Sequence, residues 1–411
     1  VAPPLPGFAD TALAIPSEDG TEVYAFSPVG KHLRTHDALT GAIKYQFAYD
    51  GSGRLSSVTD VAGQVTTIER DGSGAATALV APGGQRTTLS LEANGYLASI
   101  TNPNGERTGL TYSAEGLLAT LTDPRSGLHS YTYDAHGRLL KDEDPATGFK
   151  ALVRTEQATG WTVALSTALN RTTTYQVAPP AAGDQVRTNT DPSGLVTTTR
   201  LGRNGATTRT ATDGTITTTV QEGDPRFGLA APITKSLTVK LPSLLTSTLT
   251  STRTAVLSNP ADPLSLTTQT DTLVINGRTY TSVFNQAAKT ITPTTPASRV
   301  STVTLDAVGR VIKEQVTGLE AVSYTYDAQG RLATITQGTG ATARTSTLAY
   351  NTKNELTSVQ DPLLRTVGFA YDLAGRITTQ TLPDLRTIGY AYDGNGNVTS
   401  ITPPGKPAHA F

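Results

Sequence analysis

The chain has 411 residues, with 33 Lys and Arg against 34 Asp and Glu, a formal net charge of −1. So even a balance offers no basic field for nucleic acid or anionic lipid, and no acidic tail. The absence of cysteine excludes disulfides, thiolate nucleophiles and the usual structural zinc ligands. Methionine is absent too, even at position 1, so the sequence is expected to be a segment of something longer. No apolar run approaches the roughly 20 residues a membrane-crossing helix needs. The amino terminus shows no signal-peptide pattern.

In chain order, a short pattern keeps returning: aromatic-Asp-x-x-Gly-Arg-Leu. It reads YDGSGRL from Tyr49 through Asp50, Gly53 and Arg54, and YDAHGRL from Tyr133 through Asp134, Gly137 and Arg138. It returns at Tyr326, Asp327, Gly330 and Arg331, at Tyr371, Asp372, Gly375 and Arg376, and as YDGNGNV at Tyr392, Asp393 and Gly396. Degenerate copies begin at Arg70, Leu91, Tyr112, Leu305 and Tyr350. Gly53, Gly74, Gly95, Gly116 and Gly137 keep a 21-residue spacing, which sets the period. A second signal alternates with the first, as DVAGQVT at Asp60, NPNGERT at Asn102, DPRSGLH at Asp123, DPLLRT at Asp361 and LPDLRT at Leu382. Asp or Asn before Pro, with Gly close behind, is turn chemistry.

Each period therefore holds two turns and two short runs rich in Thr, Tyr, Val, Ile and Leu, which favour strands. Asp can close its turn by accepting backbone hydrogen bonds, and Gly fits where φ must be positive. Asn354 replaces that Gly once and tolerates the same region. In a YTY run both tyrosines point to one face and the Thr to the other. The apolar pair after the turn, such as Leu332 and Ile335, is spaced by three, which is no strand period. Either a bulge intervenes or each strand shows one apolar side chain to each face.

The regular blocks are 1–140 and 284–411. Between them, 141–283 reads as degenerate, Thr-rich repeats of the same sheet, with a hairpin signal at Asn276-Gly277. No segment carries a sustained helical period. The expected fold is all-β: a repetitive antiparallel β-hairpin spiral forming a curved sheet or hollow shell wall. Phe411 falls inside an expected strand.

Serial YD motifs at this period resemble the Rhs/YD-repeat family, which includes bacterial Rhs toxins, cocoon components of insecticidal toxin complexes and animal teneurins. The resemblance covers most of the chain, weakly through the middle. It implies a β-sheet spiral wound into a shell and, in the toxin members, a carboxyl-terminal toxin held inside and often released by self-cleavage. The family's terminal core block and its cleavage-site aspartates have no counterpart here, so no catalytic residue is transferred. The resemblance implies a structural wall, not an enzyme, in a secreted or cell-surface protein, bacterial in kind. Its partners would be the remainder of its own chain, an enclosed cargo, and secretion machinery or a surface ligand. The alternative is an adhesive scaffold whose Thr-rich middle binds.

Other constellations are weaker. His129 beside Ser130 has no nucleophile-elbow motif behind it. Asp142, Glu143 and Asp144 read as an exposed loop, and no paired-carboxylate cleft can be argued. DGSG at Asp50 and Asp71 follows the repeat register, not phosphate binding. Asp393, Asn395 and Asn397 space their oxygens as a calcium loop does, without the downstream Glu. The expectation is therefore no catalytic, cofactor or metal site, with the repeat motif itself as the functional constellation.

Overall fold

The computed structural model describes residues 13–178 and 183–411. The first residues, where a signal peptide was sought, lie outside that range, as does the Pro-Pro-Ala-Ala stretch 179–182. The described residues form 36 β-strands and one short 3-10 segment, Gly340–Thr342, with no α-helix. Successive strands pair antiparallel through tight turns. The all-β hairpin repeat expected from the sequence is the observed architecture.

The two turn signals turn out to be one turn. In Asp50–Arg54 the Gly53 N–H donates to the Asp50 carbonyl (2.8 Å) and the Asp50 N–H to the Arg54 carbonyl (2.9 Å). In Asp60–Gln64 the Gly63 and Asp60 N–H groups do the same, both at 3.0 Å. Each is a type I turn closed by one left-handed residue, the three-residue hairpin loop whose twist suits the flanking strands. Gly53 supplies that residue at φ 80°. Asn354 takes the role at φ 65° and, less comfortably, Leu364 at φ 62° and Leu385 at φ 68°.

A bulge settles the three-residue spacing. Tyr324 pairs with Ile335, Thr325 with Thr334, and Tyr326 with Leu332, leaving Ala333 as the extra residue. Paired residues share a face, so Tyr324, Tyr326, Leu332 and Ile335 all lie on one side, with Thr325 and Thr334 on the other. The hairpin of Thr366–Tyr371 with Ile377–Thr381 repeats the arrangement: Phe369, Tyr371 and Ile377 on one face, Gly368, Ala370, Thr379 and Thr381 on the other. In these hairpins the sheet thus has an aromatic–aliphatic face and a face of small and hydroxylated side chains.

Two compact units divide the chain. One joins Val1–Ala42 to Ser130–Gly309. It contains the longest strands, Gly228–Lys240 and Thr246–Leu257, and the two-residue turn at Asn276 (φ 48°) and Gly277 (φ 79°). A buried apolar cluster of Ala14, Val23, Ala38, Phe227 and Ala231, with Leu264 against it, ties its two segments together. Arg226 pins the same junction. It donates to the Ala38 carbonyl and, at 3.1 Å, to Gln269 Oε1, with its guanidinium 4.7 Å over the Phe227 ring. Asp224 beside it pairs with Arg253 at 3.0 Å.

The other unit joins Ile43–His129 to Arg310–Phe411. Among its described apolar residues only Ala78 and Ala321 are buried, while Leu79 and Ile100 on the apolar face keep 39% and 37% of their surface exposed. It is built as a strand ladder with half-covered faces, so its integrity rests on turns and on contacts between repeats.

Candidate functional site: the repeat clamp and the seam between runs

The motif side chains form a clamp that reaches from one repeat to the next. Asp372 accepts hydrogen bonds from the backbone N–H groups of Ala374 (2.9 Å) and Arg376 (3.0 Å), and from Arg376 Nε at 2.7 Å. Burial acts to raise its pKa, but the Arg376 backbone and side-chain bonds outweigh it and hold the carboxyl below its ordinary range. Asp327 with Arg331, Asp50 with Arg54 and Asp134 with Arg138 repeat the geometry. At Asp134 the Arg138 backbone N–H, then the Arg138 side chain, bring the pKa down to about 2. The sequence suggested the Asp–backbone bonds; the arginine's part was not legible, because it depends on a side chain folding back over its own turn.

The same arginine then meets the tyrosine of the following repeat. The guanidinium of Arg310 lies 4.3 Å from the Tyr326 ring centroid, Arg331 4.5 Å from Tyr350, and Arg376 5.0 Å from Tyr392. Each tyrosine hydroxyl in turn donates to the carbonyl of the first residue after the preceding YD turn. Tyr326 reaches Val311 (2.8 Å), Tyr371 reaches Leu356 (2.7 Å) and Tyr392 reaches Ile377 (2.7 Å). Those carbonyls sit beside the bulge, where the ladder is interrupted and a backbone acceptor needs another donor. Where Arg70 replaces the tyrosine, its Nη2 donates to the Leu55 carbonyl at 3.0 Å across the same 15-residue interval. Tyr, Asp and Arg therefore act together, with each repeat capping its predecessor.

A second set of contacts joins the two runs of the Ile43–His129 and Arg310–Phe411 unit side by side. Alternate turns of the first run meet YD-type turns of the second. Gln85 Nε2 donates to the Lys353 carbonyl (2.8 Å), and Asn354 Nδ2 to Gln64 Oε1 (3.2 Å). Arg376 Nη2 pairs with Glu106 Oε1 (2.8 Å), Asn395 Nδ2 donates to Asp123 Oδ2 (2.7 Å), and Arg125 Nη1 pairs with Asp393 Oδ2 (2.9 Å). Close approach is built in: a Cβ on Gly83 would lie 2.6 Å from the Lys353 Cα. Arg376 serves both clamp and seam. Burial acts to raise Glu106, but its bonds to Asn102 and Arg376 hold it below its ordinary value.

The seam also includes the turn whose spacing resembles a calcium loop. Asp393 Oδ1 accepts from the Asn395 and Asn397 backbone N–H groups, and Oδ2 from Arg125 and Asn397 Nδ2. Asn395 turns its amide N–H, not its oxygen, toward Asp123. Both Asp393 carboxylate oxygens are thus engaged in closing the turn and the seam. His136 holds a free position of its turn, its backbone N–H bonded to Asp134 (2.8 Å).

A hairpin repeat of this kind, clamped turn to turn, defines a repetitive antiparallel β-sheet domain. The Teneurin YD-shell family matches residues 10–411, and the chain belongs to it. No curated protein sequence matches the chain. Among solved structures it is similar to one described as "Crystal Structure of TcdB2-TccC3-Cdc42", at a TM-score of 0.54 and 12% identity over 95% of this chain. It also aligns with a Photorhabdus luminescens Tc holotoxin pore, at a TM-score of 0.41 and 12% identity over 95% of its length. The chain covers only 25% and 26% of those two chains. At such identity the likeness is one of fold.

Proposed function

We propose that this chain is wall of an Rhs-type secreted protein, non-enzymatic in itself, that encloses and protects a carboxyl-terminal toxin or other cargo. The regular blocks 1–140 and 284–411 and the Thr-rich stretch 141–283 act in this reading as one wall, secreted or displayed on a cell surface, in a bacterial setting. Its partners are the rest of its own chain, the cargo, and secretion machinery.

The observation that carries the reading is the half-covered apolar face. Phe47 and Val58, Leu89 and Ile100, and Leu110 and Leu121 pair across strands on this side. Leaving half of a leucine-sized side chain in water forgoes about 1 kcal/mol. A partly unfolded cargo laid against such a face would recover that energy while being kept from the producing cell. The motif residues serve this role mechanically, by holding the wall's register.

The test is the intact mass of the native protein, followed by limited proteolysis. A carboxyl-terminal fragment that copurifies and resists protease supports enclosure. A single uncleaved chain with nothing protected beyond the repeats supports the adhesive scaffold instead.

A further inference from the structure

The seam uses only one edge of each run, and the other two edges match each other. In the first run the seam is made by alternate turns, with Gln64, Gln85 and Glu106 at the fifth turn position reaching across. In the second run it is made by YD-type turns. The second run's own alternate turns, 361–365, 382–386 and 403–407, lie on its opposite edge, because strand turns alternate in side. They carry Arg365 and Arg386 at the fifth position and Lys406 at the fourth, all exposed. The two arginines also pair with Asp361 and Asp384 of their own turns, as Arg376 pairs with both Asp372 and Glu106. The first run's YD-type turns, 71–75, 92–96 and 113–117, carry Asp71, Glu92 and Glu115. Both rows are spaced by 21 residues.

We infer that these two edges are complementary docking surfaces, and that the occupant of one is the other edge on a second copy of this chain. The argument is continuity with the existing seam: an alternate-turn row meets a YD-type row at matched spacing, in the same chain direction. Continuing that geometry aligns 361–365 with 71–75, 382–386 with 92–96 and 403–407 with 113–117. Each matched turn pair then sets a cation against a carboxylate: Arg365 with Asp71, Arg386 with Glu92, Lys406 with Glu115. The bulky left-handed residues do not obstruct this. In the docked turns the equivalent Gly63, Gly84 and Gly105 have nothing within 4 Å of where a Cβ would stand, so Leu364 and Leu385 would point into open space. The contact is head-to-tail, so it propagates into chains of copies instead of closing as a dimer. It rests on the seam and is independent of whether a cargo is enclosed.

Sedimentation equilibrium of the 411-residue chain at low ionic strength tests it. Mass should rise above that of the monomer with concentration, and physiological salt should weaken the association, as expected for exposed charge pairs. Arg365→Glu with Arg386→Glu should weaken it roughly tenfold or more, as should Asp71→Lys with Glu92→Lys, since like charges then face each other. Mixing the two double variants should restore association, because each reversed edge then finds its complement. Lys406→Glu and Glu115→Lys, whose side chains close no turn, form a second pair in case the arginine variants unfold. A chain that stays monomeric at every concentration would overturn the inference. So would association indifferent to both reversals, or failure of the mixtures to restore it.

Discussion

The smallest unit of this structure is a turn in which one carboxylate does several tasks. Asp134 accepts from the His136 and Arg138 backbone N–H groups and from Arg138 Nε. Its folded pKa, about 2, lies below the ordinary 3.8. The folded state therefore binds fewer protons than the unfolded chain across that interval. The stabilisation is present above pH 3.8 and is lost as pH falls toward 2. The urea midpoint should drop over this window, and Asp134→Asn should flatten the drop. Leu385 offers the opposite opportunity. It is 82% exposed at φ 68°, where a Cβ costs roughly 1–2 kcal/mol, partly offset by the roughly 0.4–1 kcal/mol entropy difference between Gly and a Cβ-bearing residue in the unfolded chain. Leu385→Gly should stabilise the chain by about 0.5 kcal/mol, read as a higher urea midpoint.

At the level of elements, the bulge after each YD turn looks like a flaw in the ladder until the next tyrosine is included. The bulge turns Leu332 and Ile335 to the tyrosine face, and the following tyrosine hydroxyl caps a carbonyl the interruption leaves over. Tyr371→Phe keeps the ring and removes only the bond to the Leu356 carbonyl, so it should cost about 1 kcal/mol. Native-state hydrogen exchange should show faster opening in Leu356–Gln360 and Thr366–Tyr371 and little change in distant repeats, since repeat stability is largely a nearest-neighbour matter. Uniform acceleration along the chain would contradict this coupling.

Across longer range, the cross-run seam depends on neighbours far apart in sequence. Glu106 and Arg376 are 270 positions apart, and their side chains keep only 16% and 19% exposure. A double-mutant cycle of Glu106→Ala and Arg376→Ala should return a coupling of about 1 kcal/mol, near the top of the range for surface pairs. Arg376→Ala alone should cost more than Glu106→Ala, because Arg376 also holds Asp372 and covers Tyr392. Equal single costs would mean that clamp and seam are not joined through this residue.

What the sequence by itself determined is local. The 21-residue period, the two turns in each period, the left-handed glycines and the two-residue turn at Asn276-Gly277 follow from turn chemistry and strand propensity, which act over a few neighbouring residues. It also narrowed the apolar spacing to two readings, of which the bulge is the one adopted. The identity of the two turn types was hidden by their different residues, because the second turn position takes Pro as well as Gly or Ala, and the left-handed fourth position takes Asn354, Leu364 or Leu385 as well as Gly. The role of the motif arginine was hidden for another reason: its partners are its own turn's carboxylate and a tyrosine one repeat ahead. Only the tertiary structure decided which turns face each other across the seam. The 21-residue period fixes where turns occur but not how many repeats pass before runs come alongside, which depends on twist accumulated strand by strand through the bulges. So Asp393 and Asn395, which spacing alone likened to a cation loop, are held by Arg125 and Asp123 from another part of the chain.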